Sequence, residues 1–352
     1  MFEKTLKQSV ANTLTRLLGM AVYLIGIGIV ARVLNPEAFG IYAFLSALAF
    51  IAGFLGFGFG NELQNQLVKL QYQGSDANRS VAQKEIFFST FYAMLIIDFV
   101  IGGLLSVTLY HLDTALWIRT DDPSLIPIAK RLMALAIITH FMTQPFLLVT
   151  AAMYAFSHIY LASTLQCITL IVNLAAIFIT VKLGGGLIAL SWISLVYPLI
   201  GAMIMLFVFL TIQKWRLMPM PINRIIARVR DFMKESVFFW ILNIAGLILF
   251  QTSIFIVSMV GSVAETGDFS FYQRLFYAMV MLHLSALIPL WPRFSHENEM
   301  GNTIGMTRLL RQAVFFTLLY FGVGITVAIL FGPRVVQLWA GRVVRVESFT
   351  LF

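Results

Sequence analysis

The sequence has few charged residues and almost no cysteine. Only 11% of its 352 residues are Asp, Glu, Lys or Arg, whereas 60% are hydrophobic. This apolar surplus exceeds what a soluble chain of this length buries in one core, so much of it must face lipid. Cys167 is the single cysteine, which excludes an intrachain disulfide, and its apolar surroundings predict that it packs as a small hydrophobic side chain.

Signatures of enzymes and of metal centres are also missing. The sequence contains no glycine-rich phosphate loop with lysine, no HExxH, no cysteine–histidine cluster and no convincing Ser–His–carboxylate arrangement. We therefore predict a protein that is not an enzyme and needs no metal or cofactor. The net charge of +8 does not indicate nucleic acid, because the basic residues cluster between apolar runs, where membrane orientation accounts for them.

Long apolar runs recur along the whole chain. A transmembrane helix needs about 20 mostly apolar residues, because only a helix satisfies its own backbone polar groups in hydrocarbon. We predict nine spans, near 14–34, 40–60, 86–110, 128–154, 160–181, 187–211, 236–260, 269–292 and 311–331. Longer polar connections are expected at 61–85, 111–127, 213–235 and 293–310. The predicted fold class is thus all-α, a polytopic bundle of membrane helices.

A weak internal echo predicts two lobes related by a parallel repeat. The second and eighth spans each open with an acid, a glycine and an aromatic residue: Glu37, Gly40 and Tyr42 in one, and Glu265, Gly267 and Phe269 in the other. Helices one and two then match helices seven and eight, as a six-plus-six parallel repeat would produce.

The repeat predicts how the chain divides. An N-lobe of six spans covers 1–212, an amphipathic linker covers 213–235, and a C-lobe with about three spans covers 236–352. Because nine spans do not complete a six-plus-six repeat, we expect the sequence to be truncated at its C-terminus.

The linker at 213–235 also indicates the orientation of the protein. One helical face of it is apolar, with Ile225, Ile226, Val229, Phe232 and Met233, and the other is polar, with Arg224, Arg228, Asp231 and Lys234. This pattern is typical of a helix lying on a membrane surface. A cytoplasmic N-terminus places this linker and most other basic residues inside, so the positive-inside rule predicts that orientation.

Three segments resemble one known family. The first is RVLNPEAFGIY at 32–42, the second is GDFSFYQRL at 267–275, and the third joins Phe331-Gly332-Pro333 to Leu338-Trp339-Ala340-Gly341 in an expected turn after the ninth span. In this order they resemble the polysaccharide-biosynthesis flippases, the O-antigen-type exporters of lipid-linked oligosaccharides. That family belongs to the multidrug/oligosaccharidyl-lipid/polysaccharide exporter superfamily.

The resemblance implies a transporter without chemical catalysis. Two lobes would surround a central cavity that opens alternately to each side and carries an undecaprenyl-pyrophosphate-linked oligosaccharide across a bacterial or archaeal inner membrane. Membrane lipids and glycan polymerases are the implied partners, and lipopolysaccharide or O-antigen assembly in the cell envelope is the implied process. Two alternatives stay open: a multidrug exporter of the same superfamily, and an integral membrane enzyme acting on lipid-linked glycans.

Two polar stripes are candidates for substrate binding. A lipid pyrophosphate needs cationic donors facing a water-filled cavity, and arginine binds phosphate in a fork. The first span carries Asn12, Arg16, Gly19, Tyr23 and Gly26 on one face, and the eighth carries Ser270, Arg274, Tyr277, Met281 and Ser285. We predict that Asn12, Arg16, Tyr23, Arg274 and Tyr277 bind substrate. The alternative is that the two arginines anchor their helices at the interfaces.

Asp98 is the candidate for coupling transport to protons. It lies at the centre of the third span, where an ionised carboxylate costs about 2.5–3.5 kcal/mol and needs a partner or a proton. His140 and Gln144 share a face of the fourth span at a similar depth. We hypothesise that Asp98 and His140 titrate together. The alternative is a neutral Asp98 that hydrogen-bonds between helices and serves packing.

Overall fold

Helices form nearly all of the described chain. The computed structural model describes residues 2–54, 58–71, 76–113, 117–287 and 301–341. In these ranges it contains the helices α1 (Phe2–Val33), α2 (Pro36–Phe54), α3 (Phe59–Gln71), α4 (Asp76–His111), α5 (Leu125–Ala155), α6 (Ile159–Lys182), α7 (Leu187–Gln213), α8 (Ile222–Val260), α9 (Val263–Leu287) and α10 (Thr303–Ala340). The same ranges contain no strand, so the predicted all-α class is confirmed.

Each predicted span overlaps one of these helices. Among the described residues, five helices are long and apolar enough to cross a membrane: Asn78–His111, Leu125–Ala155, Ile159–Lys182, Leu187–Gln213 and Thr303–Ala340. A sixth is added if the two parts of α8 form one span. The protein is therefore a multi-pass membrane protein.

The chain after α2 differs from the prediction. The span expected at 40–60 ends at Phe54, and α3 begins at Phe59 after Gly58, whose φ is 71°. Much of the polar connection expected at 61–85 is thus helical. Hydropathy misses α3 because it is amphipathic: Phe59, Leu63 and Leu67 are buried while polar residues lie between them.

The expected turn at 331–333 is wrong. α10 continues through Pro333 to Ala340, and the chain turns at Gly341, whose φ is 70°. Helices tolerate proline at membrane depth, because neighbouring groups satisfy the freed carbonyl. The left-handed conformation at Gly341 ends the helix without a Cβ penalty.

The linker at 213–235 and the seventh predicted span form one bent helix. The first section of α8, Ile222–Phe232, meets the second section, Ser236–Leu249, at 59°. Ile225 and Phe232 are buried against the protein, whereas Ile226 is exposed. Part of the apolar face of the linker therefore packs on the bundle, and its predicted position on the membrane surface stays a prediction.

The chain separates into two compact units, Met1–Gly267 and Asp268–Phe352. The first unit contains α1 to α8 and the start of α9, and the second contains the rest of α9 and α10. This boundary lies beyond the linker at 213–235, so the predicted division into two lobes stays a prediction.

An aromatic cluster closes the first unit at the end where α2 finishes, which we call the proximal end. The ring of Trp215, in the connection between α7 and α8, lies 5.5 Å from Phe209 and 5.8 Å from Phe87 and Phe156. Phe59 of α3 meets Phe232 of α8 edge-on at 5.8 Å. These rings fix α3, α4, α7 and the first section of α8 to each other.

Two helix caps define the opposite, distal end of this unit. The Asn35 side-chain oxygen accepts a hydrogen bond from the Ala38 amide at 2.8 Å and starts α2. Ser262 and Glu265 form a reciprocal capping box at the start of α9: each backbone amide donates to the other's side chain. The repeated acids of the sequence echo are thus first-turn residues that favour helix starts.

A short segment before α5 ties the distal turns together. Its Thr120 hydroxyl donates to Glu37, and the hydroxyl of Ser258 in α8 donates to the Trp117 carbonyl. The Val263 amide donates to the Arg119 carbonyl at 2.8 Å. We call residues 117–120 the distal clamp, because they bind both the α1–α2 turn and the α8–α9 turn.

In the second unit, α9 and α10 meet through the second and third family segments. The rings of Phe271 and Trp339 lie 5.1 Å apart, and a Cβ atom on Gly332 would lie 3.9 Å from the Tyr272 ring. Farther along, the His283 ring stacks on Tyr320 at 5.3 Å, and its Nε2 lies 3.1 Å from the Thr317 hydroxyl. These segments therefore serve helix packing.

Candidate functional site

A cavity of about 210 Å³ lies inside the first unit. Five helices contribute to its wall: α1, α2, α5, α6 and α7. Its polar lining consists of Tyr23, Tyr42, Ser46, His140, Asn173, Ser191, Ser194 and Tyr197. Gly26 and Pro198 also line it. No Lys, Arg, Asp or Glu belongs to the lining that the structure describes.

Part of the polar lining is fixed by hydrogen bonds. The hydroxyl groups of Tyr42 and Ser194 lie 2.7 Å apart and join α2 to α7. The Ser46 hydroxyl donates to the Tyr42 carbonyl at 2.9 Å. These bonds hold the two hydroxyl groups of α2 and α7 in defined positions at the wall.

Two other polar groups of the wall have no partner. Within the described part of the chain, neither the Asn173 side-chain oxygen nor the Ser191 hydroxyl forms a hydrogen bond. Both residues are buried: Asn173 is 8% exposed and Ser191 is 1% exposed. A buried polar group without a partner costs about 1–3 kcal/mol. A polar guest in this cavity, such as a hydroxyl group, would recover that cost.

His140 brings an imidazole ring to the cavity. Its Nε2 lies 2.6 Å from the Gln144 side-chain nitrogen, one turn away on α5. The predicted pair of His140 and Gln144 therefore exists, and His140 is the member that reaches the cavity. The cavity wall thus offers hydroxyls, an amide, tyrosine rings and one imidazole, which can bind an uncharged polar ligand. The imidazole can also accept and release a proton without catalysing a reaction.

Asp98 is almost fully buried on α4, with 1% of its surface exposed. Neither carboxylate oxygen has a hydrogen-bond partner among the described residues, so no direct bond joins it to His140. The predicted adjacency of the two helices is confirmed, because a Cβ on Gly102 of α4 would lie 2.6 Å from the Cβ of Phe141 of α5. Coupling between Asp98 and His140 stays a prediction.

Gly19 and Gly26 of the predicted α1 stripe face protein, whereas Tyr23 is 38% exposed. A Cβ on Gly19 would lie 3.2 Å from the Leu170 side chain of α6, and Tyr23 and Gly26 line the cavity. The side chains of Asn12 and Arg16 lie outside the described residues. Their role in substrate binding stays a prediction.

The predicted stripe of α9 belongs to the second unit. The Arg274 guanidinium donates to the Ser270 hydroxyl at 2.8 Å, so these two residues share a face. Tyr277 lies on the same helix and is half-buried. Substrate binding by Arg274 and Tyr277 also stays a prediction.

Sequence reasoning missed most of the cavity. Tyr42, Ser46, Asn173, Ser191, Ser194 and Tyr197 were not predicted to line a site. Ser191, Ser194 and Pro198 are spaced i, i+3 and i+7, which marks one helical face and was a usable signal. Nothing in the sequence indicates that this face of α7 meets α1, α2, α5 and α6.

A family model described as polysaccharide biosynthesis protein matches residues 3–297, most of the chain. The chain belongs to the polysaccharide biosynthesis protein family. The predicted family is therefore confirmed, and the first two of the three sequence segments lie within the matched residues. No curated protein matches the sequence.

Solved structures share the fold of this polysaccharide biosynthesis protein. A MOP superfamily transporter from Pyrococcus furiosus, described as having a binding pocket of reversed polarity, has a TM-score of 0.60 at 15% identity, covering 95% of this chain and 76% of its own. A MATE in complex with MaL6 has a TM-score of 0.58 at 14% identity, with coverages of 95% and 74%. An inward-facing multidrug resistance MATE transporter of the MOP superfamily has a TM-score of 0.58 at 14% identity. The match covers 92% of this chain and 72% of the transporter. The fold is that of MOP superfamily transporters.

Proposed function

We propose that this protein is a flippase that moves an undecaprenyl-pyrophosphate-linked oligosaccharide across the cytoplasmic membrane by alternating access. The cavity of the first unit carries the proposal: its wall is mostly apolar, but it includes a set of uncharged polar side chains and no charged residue among those described. Its hydroxyl, amide and tyrosine groups suit the hydroxyls of a sugar. Membership in the polysaccharide biosynthesis protein family supports a glycan or lipid-linked substrate.

The α1 stripe contains both a cavity residue and the proposed contacts for the pyrophosphate of the substrate. Arg16 precedes Tyr23 by seven residues, which is about 10 Å along a helix. A head group with its sugar near Tyr23 therefore places its pyrophosphate within reach of Arg16 and Asn12. Arg274 and Tyr277 are the proposed contacts contributed by α9. Arginine suits this role because its guanidinium stays charged and binds phosphate oxygens in pairs.

Asp98, His140 and Gln144 are the proposed proton-coupling residues. His140 lines the cavity and pairs with Gln144. Asp98, on the neighbouring helix, is a buried carboxyl without a hydrogen-bond partner among the described residues. An ionised carboxylate is costly in hydrocarbon, so a change of conformation that opens Asp98 to water favours proton release.

Flipping of labelled lipid tests the proposal. The full chain is reconstituted in vesicles that contain fluorescent undecaprenyl-pyrophosphate glycan, and a membrane-impermeant quencher reports the fraction on each side. Arg16→Ala and Arg274→Ala should each slow flipping at least about tenfold, since a hydrogen bond to a charged group contributes roughly 1.5–3 kcal/mol. Lys182→Ala, an exposed cation at the end of α6, is the matched control. Full flipping in both arginine variants would refute their roles.

A multidrug exporter is the second candidate, because a MATE multidrug transporter shares the fold. Organic cations are usually held by acidic or aromatic groups, and this cavity has tyrosines but no described acid. Efflux of ethidium from the same vesicles separates the two functions. Ethidium efflux without glycan flipping would favour the multidrug exporter.

A further inference from the structure

The first section of α8 is fixed to the proximal end of the bundle by one side of the helix. Ile225 and Phe232 are buried, and Arg224 forms an ion pair with Glu85 of α4. The Arg228 guanidinium donates to the Ser89 hydroxyl at 3.3 Å and lies over the Phe232 ring at 5.8 Å. The side chains on this side of the section therefore contact other parts of the protein.

The opposite side of the section presents two isoleucines and an arginine. Ile222, Ile226 and Arg230 follow each other at i, i+4 and i+8, so they form one stripe along the helix. Ile222 is 61% exposed and Ile226 is 62% exposed, and Arg230 is also exposed. Apolar side chains beside a cation are typical of a helix whose face dips into the boundary between head groups and acyl chains.

The connection that leads into this section carries two further cations. Lys214 and Arg216, in the connection before α8, are both exposed, and with Arg230 they form no ion pair within the described part of the chain. Asp231 is the single acid between 213 and 231. Three exposed cations within 17 residues, without an ion-pair partner among the described residues, complement a negatively charged lipid surface.

The direction of the section fits that surface. It meets the following section of α8 at 59°, so it does not continue the path of that helix through the membrane. It runs obliquely across the proximal end instead. Trp215, buried in the aromatic cluster, anchors the connection that carries Lys214 and Arg216.

We propose that the lipid stripe, consisting of Ile222, Ile226 and Arg230, acts together with Lys214 and Arg216 of the preceding connection and binds the head groups of anionic phospholipids in the leaflet at the proximal end. The cations bind the lipid phosphate, and the isoleucines contact the upper acyl chains. The binding is independent of the transported substrate, so it stands or falls separately from the proposed function.

Native mass spectrometry of the full chain in detergent measures the binding directly. Phosphatidylglycerol and phosphatidylcholine are added separately at equal concentration, and the bound fraction is counted. We expect preferential retention of phosphatidylglycerol. Each cation near an anionic surface strengthens binding about fivefold, so the triple variant Lys214→Gln, Arg216→Gln, Arg230→Gln should lose at least about tenfold in phosphatidylglycerol affinity.

The controls distinguish this site from general charge and from free phosphate. Lys182→Gln removes an exposed cation at the distal end and should leave phosphatidylglycerol binding unchanged. Ile222→Ser with Ile226→Ser keeps every charge and should weaken binding of the lipid. Inorganic phosphate at millimolar concentration should not displace the lipid, because it lacks the acyl chains.

Several results would overturn the proposal. Equal retention of the two lipids by the wild-type chain would exclude selectivity for an anionic head group. Unchanged phosphatidylglycerol binding in the triple variant would place the lipid elsewhere. Displacement by inorganic phosphate, or full binding by the double isoleucine variant, would indicate a phosphate site and not a lipid site. Circular dichroism and gel filtration verify that each variant keeps its helices.

Discussion

A Cβ atom on Gly40 would overlap the carbonyl oxygen of Val263 and lie 2.5 Å from its carbonyl carbon. The start of α2 thus touches the backbone at the start of α9. Gly267 repeats the relationship, because its own Cβ would lie 3.1 Å from the Cα of Gly40. The two glycines that the sequence pairs as a repeat therefore meet in space: the Val263 backbone leaves no room for a side chain at Gly40, and Phe39 and Gly40 crowd a side chain at Gly267.

Gly40→Ala should destabilise the distal end of the first unit. The added methyl group meets backbone atoms that cannot rotate away, and overpacking of this kind costs about 1–3 kcal/mol. Thermal unfolding in detergent, followed by circular dichroism, measures the loss. Gly103→Ala is the matched control, since a Cβ there meets nothing within 4 Å. An unchanged melting temperature for Gly40→Ala would contradict the contact.

Ser258→Ala should loosen the distal clamp. It removes the hydroxyl that donates to the Trp117 carbonyl and leaves that carbonyl without this bond. The Val263 amide donates to the carbonyl of Arg119, two residues further along the clamp, so its hydrogen exchange should become faster. Mass spectrometry of peptides covering Val263 gives the rate. Thr108→Ala, whose hydroxyl bonds only within α4, serves as the control and should leave that rate unchanged.

Gly26→Leu should obstruct the cavity. A Cβ at this position would lie 3.6 Å from the Ile177 side chain and 3.7 Å from the Leu174 side chain, which is ordinary contact, so the larger side chain enters the free space. We expect the rate of glycan flipping to fall at least about tenfold, which corresponds to a loss of roughly 1.4 kcal/mol in the free energy of substrate binding. Gly103→Leu, which points into open space, should retain the wild-type rate. Equal rates in both variants would exclude this cavity from the transport path.

Asp98→Asn should abolish the dependence of transport on a proton gradient. The amide has nearly the shape of the carboxyl group but neither releases nor binds a proton in the physiological range. Flipping is compared in vesicles with and without an imposed gradient. Asp121→Asn, an exposed residue before α5, is the control. A variant at Asp98 that responds to the gradient as the wild-type protein does would remove Asp98 from the coupling mechanism.

Ser124→Ala should raise the pKa of Asp122. The Ser124 hydroxyl and then its backbone amide donate to the Asp122 carboxylate and hold its pKa below the ordinary value of 3.8. Because the pKa of Asp122 is lower in the folded protein, its carboxylate stabilises the folded state when the pH is above the pKa of the unfolded chain. This stabilisation is lost as the pH falls through the pKa of the folded protein. Carboxyl-carbon NMR follows the titration. The pKa should move toward 3.8 without reaching it, because the backbone bond is kept, and Ser80→Ala should leave it unchanged.

The predicted spans are correct where the formation of a helix depends only on its own residues. The runs containing Cys167 and Phe207 are helices because a stretch of about 20 apolar residues is stable in lipid without help from its neighbours. Prediction failed at Phe59–Gln71 and at Pro333. The first is an amphipathic helix stabilised by packing against its neighbours, and the second is a proline that the helix accommodates.

The candidate site was less accessible to sequence reasoning. Tyr23 was found because it lies on a polar stripe, and His140 because it shares a face with Gln144 at a depth similar to that of Asp98. Asn173 and Ser191 were missed, although the structure places both at the cavity wall without hydrogen-bond partners among the described residues. Small polar residues are common in membrane helices, where most of them bond to their own backbone.

By itself the sequence determined that the chain is a helical membrane protein of the polysaccharide biosynthesis family, because apolar length and helix capping depend on residues close together in the chain. Only the tertiary structure decided that α1, α2, α5, α6 and α7 line a common cavity, and that Gly40 and Gly267 meet. Those features depend on which helix faces pack together. That choice is made by close contacts between residues far apart in the sequence.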